Sequence, residues 1–202
     1  MHHFLEKAKD LYEKGAKAGE KALGPEIFEK ECGYFWGIVE TRPYMRARAG
    51  LAECLWFLGE YEKAIKHFTE MLHLNPNDNQ GIRYLLINCL LEKGYNKDAK
   101  KLLHQFEGDI STTWLYSRAL LIFRKERVNS KANKLLRKAL NYNSFVPLYI
   151  LSRRKLPSLL PEYVSPGDEN EAIAYVFKAY TVWLNTPGAI DWLASNLPNN
   201  VK

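Results

Sequence analysis

At 202 residues the chain is long enough for one compact domain, or one short repeat array, with a sizeable core. Its 47% hydrophobic and 26% charged residues are ordinary globular composition and argue against disorder apart from the ends. A formal net charge of +6, taken as a modest excess spread along the chain, admits an acidic protein, a nucleic acid or a membrane surface as partner without choosing among them.

No apolar run reaches the roughly 18 residues of a bilayer-spanning helix. The stretch from Met1 to Lys7 lacks the apolar core of a secretory signal. His2 and His3 are assigned no role. Residues 4–23 predict one amphipathic helix, with Phe4, Leu5, Ala8, Leu11, Tyr12 and Leu23 mostly on one face, ended by Gly24-Pro25. Residues 26–40 predict a further helix rich in aromatics, carrying Phe28, Tyr34, Phe35 and Trp36. Thr41 is expected to cap the next helix, and Pro43 suits its first turn because the missing N–H would be unpaired there anyway.

Further along, Asn77-Asp78-Asn79 are expected to cap a helix starting near Gln80, and Ser111-Thr112-Thr113 one that carries Trp114 to Phe123. Asn143-Ser144 precede a short apolar helix around 146–154. Between Leu156 and Gly167 three prolines break helix. A helix from about Glu169 to Leu184 follows, then a break at Thr186-Pro187-Gly188. A short last piece bearing Trp192 and Leu193 is expected to cover the final apolar face.

A repeat runs through these elements. From Leu51-Ala52 through Leu55, Trp56 and Leu58, apolar residues recur at three- and four-residue steps. Gly59 interrupts them, Tyr61, Ala64, Ile65, Phe68 and Leu72 resume them, and Asn75-Pro76 stops them. Five residues separate Gly59 from Ala64, and five separate Gly94 from Ala99. Ala64 to Ala99 is 35 residues and Ala99 to Ala132 is 33, with Phe68, Leu103 and Leu136 four after each Ala. The third unit has Arg127 where the turn glycine is expected. A fourth echo runs from Gly167 to Ala172, 40 residues beyond Ala132.

With its Leu-Ala pair, turn Gly, Tyr-x-x-Ala-Ile step, following aromatic and closing Pro, the first unit resembles the tetratricopeptide repeat. The others follow it with decreasing fidelity. The segments Gly33 to Arg48 and Tyr163 to Ala172 are similar to those of bacterial tetratricopeptide proteins of unassigned function. The resemblance implies an all-α fold of tandem helix-turn-helix repeats stacked as a right-handed superhelix, with about nine or ten helices and no sheet. It also implies an interaction role rather than a reaction. The expected organisation is a single helical-repeat domain over 1–202. N-terminal helices occupy 1–42, repeats 43–78, 79–112 and a degenerate 113–143, and a divergent repeat with capping helices 144–202.

Cys32, Cys54 and Cys89 are far apart and form no CxxC pair, which argues against a disulfide framework or a zinc knuckle and for a cytoplasmic protein. No nucleophile elbow, phosphate-binding loop or HExxH is present, so no catalytic residue, cofactor or metal is assigned. His67, His73 and His104 are scattered, and Asp168, Glu169 and Glu171 are explained by helix capping and dipole complementarity.

In this family the first helix of each pair lines the concave surface, and the groove-facing positions bring forward Arg46, Trp56, Tyr84, Asn88, Trp114 and Arg124. Together they suit an extended partner segment: Asn bonds its backbone, Arg its carboxylates, and the aromatics its apolar side chains. The carboxylate clamp by which some members hold chaperone tails is matched only at Asn88, with Glu53 opposing it. The alternative partner is nucleic acid, tracked by Arg42, Arg46 and Arg48, by Arg124, Lys125 and Arg127, and by Arg153, Arg154 and Lys155. No membrane partner is expected.

Overall fold

The computed structural model describes residues 2–197, and these contain eleven α-helices and no strand. They cluster into two compact units that divide between Cys89 and Leu90, inside a helix rather than at a linker.

The first unit holds α1 (His2–Leu23), α2 (Pro25–Lys30), α3 (Arg42–Phe57), α4 (Tyr61–Leu74) and the start of α5 (Ile82–Lys93). Helices α3 and α4 pack as a pair around the fully buried Ala64 and Phe68. Their turn has Gly59 at φ +82, a left-handed conformation open to glycine, and closes with Glu60 N–H donating to Leu55 C=O at 2.8 Å. Helix α1 lies along α3 so closely that a Cβ on Gly19 would come 2.9 Å from the Tyr44 Cβ. Little of α1 is buried beyond Ala16, because a glycine-mediated approach brings backbones together without enclosing large side chains.

The segment 26–40 corrects the sequence expectation. Helix stops at Lys30, and the chain continues through two single 3₁₀ turns, Phe35–Gly37 and Val39–Thr41. Gly33 sits at φ +100 and breaks the helical path. Thr41 does not cap α3: its hydroxyl donates back to Phe35 C=O and to Ile38 C=O, the latter at 2.9 Å, and so stabilises the 3₁₀ turns. Asp78, one of the three residues expected to cap α5, does so, accepting from Ile82 N–H at 2.6 Å and Arg83 N–H at 3.0 Å, and the helix begins at Ile82, two residues beyond Gln80.

The second unit holds the rest of α5, then α6 (Asn96–Gln105), α7 (Thr112–Glu126), α8 (Ser130–Tyr142), α9 (Val146–Ile150), α10 (Glu169–Leu184) and α11 (Ala189–Ser195). The count exceeds the nine or ten expected because several helices, α2 and α9 among them, are single short pieces; α9 ends four residues before the expected 154. Ala99, Ala132 and Ala172 are each fully buried, as is Leu136. The turn after α5 repeats that of Gly59, with Gly94 at φ +81 and Tyr95 N–H donating to Leu90 C=O at 2.8 Å. The turn after α7 keeps a positive φ although the residue is Arg127, at φ +59.

Asn143 organises this unit. Its amide donates to Thr112 Oγ1 and Asp168 C=O, both at 2.9 Å, and accepts from Phe145 N–H at 3.1 Å, which fixes the starts of α7, α9 and α10. Residues 155–168 contain no helix. At the end of the unit Trp192 stacks on Phe123, ring centroids 4.4 Å apart, and its indole N–H donates to Asn133 at 2.8 Å, so α11 covers that apolar face.

Candidate functional site

The six groove positions separate into two kinds. Trp56 and Trp114 are buried, and Trp114 meets Phe106 edge-on at 6.0 Å between centroids. Arg124 is engaged with its own unit. Its guanidinium donates to Thr186 Oγ1 at 2.8 Å, Leu91 C=O at 2.6 Å and Val182 C=O at 3.3 Å, tying the end of α5 and the end of α10 to α7. Two of its partners lie about sixty residues away in sequence, which is why a helix-face argument could not find this role.

Arg46, Tyr84 and Asn88 are placed differently. Arg46 is exposed and lies over the Trp36 ring at 5.6 Å, while Arg42 lies over the same ring at 5.5 Å. Arg42 is also fixed by donation to Trp36 C=O at 3.0 Å, so the indole carries two cations at the partly open end of α3. Tyr84 is half-buried, with the Arg83 guanidinium 4.2 Å from its ring centroid. Asn88 is 2% exposed in a run of Leu, Ile and Cys. Its Nδ2 donates to Tyr84 C=O at 2.8 Å, but Oδ1 has no hydrogen-bond partner among the described residues. In the other unit Ser117 Oγ, on α7, is likewise buried without one. An orphaned buried acceptor costs about 1–3 kcal/mol, so neither residue is accounted for by packing alone.

Of the arginines grouped by adjacency in sequence, Arg42 and Arg46 share the Trp36 ring, but the others do not act as clusters. Arg48 points away from Arg46, toward α4. It pairs with Glu70, donates to Tyr44 OH at 2.6 Å and, through Nε, donates to His67 Nδ1 at 3.2 Å. Because arginine is always a donor, His67 Nδ1 must carry a lone pair, and the neutral ring then holds its proton on Nε2. Burial, and after it the neighbouring Arg48 charge, pushes the His67 pKa down to about 4. These side chains, with Glu13, border a cavity of about 400 Å³. With one nitrogen occupied and the other protonated, His67 has no free lone pair for general-base or metal chemistry. Nothing in sequence spacing marked this node, whose members come from three helices. Elsewhere, Arg154 pairs with Glu169, and Arg127 donates to Pro187 C=O at 3.1 Å.

The acidic cluster at the start of α10 is engaged in capping. Asp168 accepts from Glu171 N–H at 2.7 Å, Glu171 from Thr112 N–H at 2.9 Å and Gly167 N–H at 2.6 Å, and Glu169 from Tyr149 OH at 2.7 Å. Among the described residues no three His, Cys, Asp or Glu side chains are grouped to hold a metal ion. Cys54 and Cys89 are buried and Cys32 is exposed, and none of the three is in a disulfide among the described residues. No helix among the described residues is long and apolar enough to cross a membrane.

Comparison with known proteins gives two findings. Residues 58–106 match the family model for the tetratricopeptide repeat. Curated relatives include Protein ST7 homolog of Drosophila melanogaster, 28% identical over 175 residues that cover 76% of this chain and 32% of that protein. They also include Suppressor of tumorigenicity 7 protein-like of Rattus norvegicus, 28% identical over 174 residues covering 76% and 31%. Suppressor of tumorigenicity 7 protein of Macaca fascicularis is similar to the same extent, covering 76% and 32%. The chain thus spans about a third of the length of these relatives. No solved structure matches it significantly.

Proposed function

We propose that this chain, a tetratricopeptide-repeat protein, holds an extended segment of a partner protein on the exposed side of its first helices, with Asn88 bonding the segment's backbone. The repeat is a protein-interaction unit, and the finer assignment rests on one observation: the buried Asn88 Oδ1 without a partner. Asn88 is 2% exposed, so side chains over it must shift to uncover Oδ1; a peptide N–H then placed there would complete the amide, whose Nδ2 is already fixed on Tyr84 C=O. Tyr84 and Arg46 would add an aromatic face and a cation, while Trp56, Trp114 and Arg124 frame their own helices from beneath. The nucleic-acid alternative gains no support from the arginine clusters, since Arg48, Arg124 and Arg154 are each engaged within the protein.

The test is Asn88→Leu, close in volume and without polar atoms. If the orphaned acceptor exists for a partner, removing it leaves thermal stability unchanged or raised, because a buried unsatisfied group disappears. Partner recovery in affinity capture should nevertheless fall about tenfold, as for a central interface contact. A destabilised variant that captures its partner as well as the parent does would show that Asn88 is structural.

A further inference from the structure

The chain's positive charge is not evenly spread. Between residues 96 and 142 eleven Lys and Arg stand against four Asp and Glu, so this stretch alone carries +7. On α8, Lys131, Lys134, Arg137 and Lys138 are all exposed and the helix has no acidic residue. On α6, Lys97, Lys100 and Lys101 are exposed, and of these Lys101 pairs with Asp98 at 3.3 Å.

The two cationic helices flank a cavity of about 380 Å³ over α7. Its floor is aliphatic, formed by Leu103, Leu121, Ile122 and Leu135, and Lys100 and Lys131 border it. Arg118 closes one end by donating to Leu103 C=O at 3.2 Å, Phe106 C=O at 3.4 Å and Glu107 C=O at 2.6 Å. These are the carbonyls with which α6 ends, and their partial negative charge would otherwise face the cavity. Glu107, paired with His104 at 3.4 Å, is the single acid on the border.

We propose that this groove is a second docking site, for an acidic protein segment that carries aliphatic side chains on one face. Leucine-like side chains enter the floor, and carboxylates on either side meet Lys100 and Lys131. Charge complementarity selects the acid, and the aliphatic floor selects a peptide over the other polyanions. A nucleic acid would find cations, but the lining holds no Phe, Tyr or Trp on which its bases could stack, and its one ring, His104, is paired with Glu107. An anionic bilayer would meet the cations but could not receive Leu103 and Leu121, which are buried. The site goes beyond the function proposed above and uses none of its residues.

The experiment measures fluorescence anisotropy of labelled probes with the full chain. The main probe is an acidic peptide of about 15 residues, four helical turns, with Leu at every third or fourth position and Glu elsewhere. The others are its Lys counterpart, a Leu-free acidic peptide, oligo(dT) and phosphatidylserine vesicles. The Leu-bearing acidic peptide should bind best. Lys100→Glu with Lys131→Glu should weaken it at least about tenfold, a change of about 1.4 kcal/mol, and Ile122→Gln severalfold. Lys14→Glu with Lys21→Glu, the same charge change on exposed α1 positions, should leave it within about twofold, and Asn88→Leu should bind it as the parent does. Circular dichroism melts confirm that each variant is folded. The proposal is overturned if the Leu-free peptide, oligo(dT) or the vesicles bind equally well, if the α1 pair weakens binding as much as the groove pair, or if the main probe does not bind.

Discussion

At the scale of single residues, Arg127 is where the repeat conflicts with its own geometry. Gly59 and Gly94 take φ near +80 at the same place in their turns, and Arg127 is held at φ +59 and ψ −158. That backbone region is essentially glycine's own, and a side chain there costs about 1–3 kcal/mol. Among the described residues the Arg127 side chain is compensated by a hydrogen bond to Pro187 C=O at the surface. Arg127→Gly should therefore raise the melting temperature by about 2–4 °C, the shift expected for about 1 kcal/mol in a chain of this size. An unchanged or lower melting temperature would mean that the contact with Pro187 outweighs the strain. Arg127 was legible in sequence as the odd member of the repeat. Arg48 was not legible, because grouping it with Arg42 and Arg46 ignored helical geometry: residues two apart on a helix point to nearly opposite sides. Asn88 was brought forward in sequence by the family's groove-facing positions, but that half of its amide is unmatched is set by the folded packing.

At the scale of elements, the alanine seat is the most regular feature. Ala64, Ala99, Ala132 and Ala172 are fully buried at the same point in successive units. There a larger side chain has nowhere to go. Ala64→Leu and Ala99→Leu should each destabilise the protein by roughly 1–3 kcal/mol through overpacking, and chemical denaturation of the two variants checks this. Stability equal to the parent's would show that the seat has slack. Helix positions were legible wherever 3.6-residue periodicity and a cap coincided, as at Ser111, whose Oγ accepts from Trp114 N–H, and at Asp168. They failed over 26–40, where Phe28, Tyr34, Phe35 and Trp36 look like a helical face. Gly33 diverts the backbone there, and Thr41 captures carbonyls that a continuous helix would have used. The charge pattern was also in the sequence. Lys131, Lys134 and Lys138 share one face of α8, and applying the helical period to charges as well as to apolar residues would have concentrated the excess there.

At the scale of the whole molecule, the all-helical repeat was legible because small, turn-forming and bulky residues recur at a fixed period, which no other arrangement of helices needs. The partner was not legible, because binding residues on a repeat are chosen by what they touch rather than by what the repeat requires. The relatives extend well beyond the stretch this chain matches, so likeness to them identifies a building unit and not a whole activity. The central claim is that this unit holds a protein segment through shaped contacts rather than tracking a polyanion. The most direct test is the affinity of the full chain for its captured partner, measured from about 50 to 200 mM salt. A protein segment predicts a loss of no more than about tenfold across that range, with Asn88→Leu weakening binding throughout. A loss of about a thousandfold or more, the signature of six or more released phosphate counterions, with Asn88→Leu binding as the parent does, would contradict the account.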